Sequence, residues 1–250
     1  MGVFDLDGNE IEKFSSDVLW EEFGRSGAGD PIVLYDELEN KWMITEFDDP
    51  ALVLIAISNT SDPLGSYTAY EFATPSFPDY PKYAIWPNAI VFTTNEDGPG
   101  VLHNYFIQKD SLYAGADDVI MQRIEIDGSE NTEAGFFVST PVDFSGKDMP
   151  LDARPMIMRL NDSSWGEADQ DQLELYLFNI NWQNVDSTDI EQISLVTTPY
   201  DGYPCSDLGF GFDCVPQKDG TGLDAIPEVI MNVPMFRNFG AHESIVLSFI

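Results

Sequence analysis

Arg237, Asn238, His242 and Glu243 fall within one short stretch near the end of the chain, beside Phe236 and Phe239. An imidazole next to a carboxylate can move a proton or hold a polar ligand. The plainer alternative has His242 bonding a backbone group, and His103, alternating within the apolar Leu102–Ile107, reads as structural. Glycosidic bonds are cleaved by two carboxyl groups about 5 to 9.5 Å apart, and Glu228 and Glu243 are candidates for the acid of such a pair. With 44 acidic residues, however, a pair can always be found. Tyr80, Trp86 and Trp165 offer planar rings for stacking on sugars or anchoring a protein partner. Of these, Tyr80 and Trp165 sit in loop-like sequence, whereas aromatic residues at alternating positions usually face a core. Asp5, Asp7 and Asn9 flank Gly8 with oxygens at alternate positions, as calcium loops do, although a hairpin turn explains the same residues. A second acidic loop joins Asn161-Asp162-Ser163 to Asp169-Gln170-Asp171. Calcium is therefore the one cofactor expected. The sequence contains no phosphate loop, no metal-type Cys/His cluster and no Gly-x-Ser-x-Gly elbow.

Composition limits what these residues can serve. Acidic residues outnumber basic ones by 44 to 11, a net charge of −33. Such a field repels phosphate backbones, so nucleic acid is not an expected partner. It also favours salty or calcium-containing surroundings that screen it. Apolar residues make up 43% and aromatics 13% of the chain, ample surface for a core. The longest apolar run, Ala51 to Ile57, has the length of a strand, not of the roughly 20-residue membrane helix, so no membrane insertion is expected. Cys205 and Cys214 bracket a loop rich in Gly, Asp and Phe, which suits a disulfide and an oxidising compartment; two free buried thiols are the alternative. The start lacks a signal sequence and the end stops within an apparent strand. The expectation is a single domain over residues 1–250, excised from a longer secreted chain whose neighbouring domains are further partners.

The elements that must position these residues are strands. Apolar residues alternate or form short runs at Ile32–Tyr35, Trp42–Phe47, Leu52–Ile57, Tyr67–Phe72, Ile90–Thr94, Leu102–Ile107, Ile120–Ile126, Met156–Leu160, Leu173–Ile180, Ile193–Thr197 and Val229–Met231. Turn clusters such as Asp7-Gly8-Asn9 and Asn95 to Gly100 separate them. Only Asp110 to Ala116 reads as a helical turn. Proline introduces a strand four times, at Pro31, Pro81, Pro155 and Pro227, where its missing donor is tolerated. The repeat marks units of about four strands at residues 30–75, 80–127 and 153–198, a partial unit from 226 and a hairpin near 3–14. Four-stranded units are the blades of a propeller. The fold expected is an all-β propeller of about five blades, incomplete within this chain, with a β-sandwich as the alternative. Open edges invite association, so the N-terminal strand is expected to close the ring on Ser244–Ile250, or another chain to cover it.

Asp30-Pro31-Ile32-Val33-Leu34-Tyr35-Asp36, followed by Lys41-Trp42-Met43-Ile44, resembles the blade opening of secreted bacterial sialidase-like propellers. Tyr80 to Asn88, Arg159 to Trp165 and Arg237 to Ser244 are similar to segments that recur in large secreted proteins of that group, most without established activity. The resemblance implies a secreted propeller. It does not extend to sialidase chemistry, which needs three arginines on a substrate carboxylate and a Tyr–Glu nucleophile; the chain has five arginines in all and no Ser-x-Asp-x-Gly-x-x-Trp turn. In five-bladed glycosidases with a similar Asp-Pro opening the Asp is the base, which makes Asp30 the analogue here, against a plain turn-capping role.

The function expected is that of a secreted or cell-surface, non-enzymatic module that binds a glycan or a surface protein, in the manner of an adhesin domain. A glycoside hydrolase or lyase using Asp30 with Glu243, and a purely structural module, are the alternatives.

Overall fold

The computed structural model describes residues 1–96, 100–128, 138–148, 154–202, 213–224, 226 and 228–249. Strands take up 49% of the chain and helices 8%, so the all-β class is established. A hairpin of β1 (Gly2–Phe4) and β2 (Glu10–Lys13) comes first. Two four-stranded antiparallel meanders follow. The first sheet orders β3 (Gly29–Asp36), β4 (Lys41–Asp48), β5 (Leu52–Ser58) and β6 (Tyr67–Ala73). The second orders β7 (Asp79–Ile85), β8 (Ala89–Asn95), β9 (Val101–Gln108) and β10 (Met121–Asp127), with the short helix α1 (Lys109–Tyr113) between the last two.

The third sheet has six strands. A meander of β11 (Thr140–Phe144), β12 (Met156–Asn161), β13 (Gln172–Asn179) and β14 (Asp189–Val196) is extended across β11 by β17 (Met235–Asn238) and β18 (Glu243–Val246). β17 runs parallel to β11 with Phe236 opposite Phe144. A small pair, β15 (Asp213–Pro216) with β16 (Gly222–Asp224), stands apart.

The three sheets pack in succession. Ile55, Ile57, Phe72, Tyr83, Phe92 and Tyr105 fill the layer between the first and second. Trp86, Val91, Phe106, Ile157, Leu175 and Phe178 fill that between the second and third. The second sheet is therefore buried on both faces, which is why β8 and β9 read as near-continuous apolar runs while β3 alternates. Cross-strand aromatics lock its register, with the rings of the opposed Phe92 and Tyr105 stacked 4.5 Å apart. On the outer face of the first sheet, Trp20 from the turn-rich segment after β2 covers Ile44 and Leu54, and its ring nitrogen donates to the buried Glu46.

The first two repeat units lie where the prolines mark them, and the third is displaced. Pro155 precedes β12, the second strand of its sheet; the strand that leads the third sheet is β11, whose own proline is Pro141. At five residues β11 is too short to show an alternation of its own. Val229–Met231 is not a strand: Val229 and Ile230 are buried in an irregular segment whose Ile230 carbonyl accepts from the Thr140 hydroxyl, 2.8 Å away. Among the described residues the ring closure expected from the N-terminal strand is not found either: β1 pairs with β2 and β18 with β17.

Candidate functional site

The first strands of the successive units lie side by side. Trp86, just past the end of β7, donates from Nε1 to the Val142 carbonyl of β11 at 2.7 Å, and Ile85 N donates to Asp143 Oδ1 at 2.8 Å. At the other end of these strands, Tyr80 Oη reaches Met231 Sδ at 3.0 Å. The strands thus share one direction and present two mouths, one at their starts and one at their ends.

The starting mouth gathers three of the residues singled out from sequence. Asp30, the second residue of β3, is exposed; Tyr80, the second residue of β7, is half-buried; Glu228 is 4% exposed. Lys82, which sequence reasoning passed over, sits among them with Nζ 4.1 Å from the centre of the Tyr80 ring. Burial lowers the Lys82 ammonium and the Asp30 charge works against that shift. Burial likewise raises the Tyr80 hydroxyl, and the Glu228 charge adds to the rise.

The backbone at this mouth repeats an unfavourable conformation. Asp30, Tyr80 and Ile226 each precede a proline, and each holds a positive φ, of 48°, 51° and 45°. Left-handed backbone in a non-glycine residue is uncommon and persists where the surroundings impose it. At the first two a residue is inserted into the ladder, between Gly29 and Ile32 and between Asp79 and Lys82; such a bulge re-aims a side chain.

Beneath Lys82 the core is polar. Thr93 and then Asn104 follow it in cross-strand register on one face of the second sheet. Asn104 accepts from the Ser139 hydroxyl at 2.6 Å and donates to the Leu102 and Ile124 carbonyls. The fully buried Thr93 hydroxyl has no hydrogen-bond partner among the described residues. The exposed Asp30 carboxylate, the Lys82 ammonium and the half-buried Tyr80 ring together offer groups that can hydrogen-bond to and stack on hydroxyl-rich ligands.

Other sequence candidates lie elsewhere. Arg237, His242 and Glu243 are exposed on the β17–β18 hairpin, where the Phe239 ring stacks on His242 at 5.0 Å and Arg237 lies 5.4 Å from the same ring. Because β17 is parallel to β11, this hairpin projects past the ends of the first strands, at the opposite mouth from Asp30. Asp30 and Glu243 are therefore not brought together.

Trp86 is fully buried and packs on Phe236, with ring centres 5.6 Å apart. Trp165 is 8% exposed and is covered by Gly202, whose lack of a side chain makes the contact possible: a Cβ there would lie 2.9 Å from the Trp165 ring. Neither ring presents a free face, a correction to the ligand-stacking role offered for both and to the surface setting read for Trp165. Loop-like sequence around Trp165 did not show that Gly202 lies over its ring.

The acidic loops are engaged by the protein's own donors. Asp5 accepts from the backbone of Asp7 and Asn9 and from the Asn9 side chain, at 2.8 to 2.9 Å. Asp162 accepts from Ser164 N and Gly202 N, and Asp171 from Ser163 and Tyr200 N, stapling three loops together. Among the described residues no group of three His, Cys, Asp or Glu converges as a metal site. Cys205 and the Cys214 side chain lie outside the described residues. Among those residues, no helix is long and apolar enough to cross a membrane. No family model, curated protein or solved structure matches the chain.

Proposed function

We propose that this chain is a propeller-type module, secreted or held at the cell surface, that binds a glycan at the starting mouth of its first strands. The convergence of Asp30, Tyr80 and Lys82 there, from two different units, is the observation that carries this reading. Asp30 supplies an acceptor for sugar hydroxyls, Lys82 a donor, and Tyr80 a planar face. A propeller is supported by meanders of four strands that pack face to face with their first strands adjacent and running the same way. Resemblance of the Asp30–Asp36 opening to secreted sialidase-like propellers agrees with it. The excess of acid suits an exposed surface in salty or calcium-rich surroundings.

Binding to an array of microbial and algal polysaccharides, with calcium and with chelator, tests the proposal. Saturable binding is expected, weakened roughly tenfold or more by Tyr80→Ala, as truncating an aromatic anchor does, and weakened by Asp30→Asn. No binding under either condition, or binding indifferent to both substitutions, would turn attention to a protein partner or a structural role.

A hydrolase is the second reading, because two of the acids considered for such chemistry, Asp30 and Glu228, flank the same Tyr80–Lys82 pair. Its mark is release of reducing ends from a bound polysaccharide, abolished by Asp30→Asn and by Glu228→Gln. Release that survives both removes the assignment.

A further inference from the structure

We propose that β14, the outer strand of the third sheet, is the interface through which two copies of this chain pair, edge to edge and antiparallel, into one continuous sheet. The inference does not depend on the ligand reading. β14 lies at the end of the strand order and pairs only with β13 among the described residues, so its far edge has no strand beside it. The unpaired amides and carbonyls of such an edge are a template for another strand.

Its exposure sets this edge apart. The outer strands of the first two sheets, β6 and β10, are buried or half-buried at most positions, whereas β14 is exposed at all eight. Four of those positions are apolar: Ile190, Ile193, Leu195 and Val196 are 36 to 63% exposed. The neighbouring β13 is buried along nearly its whole length, so the core stops one strand short of the edge. The usual protections of an edge strand are missing as well. β14 has no proline and no lysine, and its pairing with β13 runs without a bulge.

The order of side chains along β14 favours a second copy as the occupant. A two-fold axis that pairs the strands antiparallel keeps the faces of the two sheets in line, so residues directly opposite each other come from the same face. With Ile193 on the axis, Ile193 meets Ile193 of the second copy, Ile190 meets Val196, and Gln192 meets Ser194. Glu191 then meets Leu195 and Asp189 meets Thr197, so no carboxylate opposes another. Centring the axis on Gln192 would instead set Ile190 on Ser194 and Ile193 on Glu191, apolar against polar. Glu191 is also held by Arg154 at 2.8 Å, which neutralises it. That leaves Asp189 alone to attract a basic strand from a different protein. In a chain of net charge −33 the edge is a nearly neutral, apolar strip.

Two consequences follow from this geometry. The axis reverses strand direction, so the starting mouths of the two copies face opposite ways. The remaining acidic surface makes the copies repel each other, and salt screens that repulsion, so the pairing strengthens with salt.

Sedimentation equilibrium of the full chain over a range of protein concentrations, in dilute buffer and at about 0.5 M NaCl, tests the proposal. A monomer–dimer equilibrium shifted towards dimer by salt is expected. Ile193→Lys and Ile193→Glu each set like charges face to face on the axis and are expected to weaken the dimer roughly tenfold or more. Mixed in equal amounts, the two variants set a lysine opposite a glutamate at that point, and the dimer is expected to return with one chain of each kind. A wild type that stays monomeric throughout overturns the inference, as does a dimer indifferent to both substitutions or a mixture that does not recover. Should either variant fail to fold, amide hydrogen exchange of the wild type decides. Protection of β14 that rises with protein concentration supports the pairing, and protection that does not change overturns it.

Discussion

Lys109→Met is expected to cost about 3–5 kcal/mol of unfolding free energy, measured by urea denaturation at neutral pH. Lys109 is the first residue of α1 and its side chain is 2% exposed, as is that of Asp36, its partner at 2.5 Å. Removing the ammonium leaves the Asp36 carboxylate buried with only the Leu38 and Glu39 amides and the Tyr113 hydroxyl to stabilise it. The large effect comes from the stranded charge, since a buried ion pair replaced as a whole by groups of similar shape is often nearly neutral. The double variant Asp36→Asn/Lys109→Met should therefore recover much of the loss. A single variant within about 1 kcal/mol of wild type would mean that water reaches Asp36 freely, contrary to its burial.

Trp86→Ala is expected to destabilise by about 3–5 kcal/mol, the range for truncating a buried aromatic. Trp86 is wholly inaccessible and fills the junction of β7, β11 and β17, with Phe236 and Phe144 at ring-centre distances of 5.6 and 6.5 Å. Its Nε1 also satisfies the Val142 carbonyl. Trp86→Phe separates the two contributions: it retains most of the volume but leaves that carbonyl without its donor, at about 1–3 kcal/mol. Alanine should be clearly worse than phenylalanine in thermal melts. Equal losses would assign the effect to the hydrogen bond and not to the packing. A change that leaves stability untouched would contradict a seam at this position.

Both substitutions act where separate units meet, and this is the level at which the sequence was least informative. Asp36 and Lys109 are each unremarkable in their own segments, the one ending a strand and the other starting a helical turn. Lys82 at the proposed ligand mouth carries no local mark of a site, since a lysine in an alternating strand is commonly a solvated side chain. Trp86 offers a ring for stacking on sugar, but its alternating setting favours a place in a core. By contrast, Asp30 is marked by the Asp-Pro opening it shares with five-bladed glycosidases and Tyr80 by its loop-like setting, whereas Glu228 is one carboxylate among 44 acidic residues.

The sequence by itself determined the all-β class, most of the strands and the first two four-stranded units. Alternation, proline and turn residues act over a few neighbouring positions, and that information lies within the segment it shapes. Tertiary structure alone decided that β11 leads the third sheet, that Trp86 and Trp165 are covered, that Asp30 and Glu243 occupy opposite mouths, and that Lys109 meets Asp36. Those outcomes depend on sheet stacking and on the direction shared by strands dozens of residues apart, which no local pattern specifies.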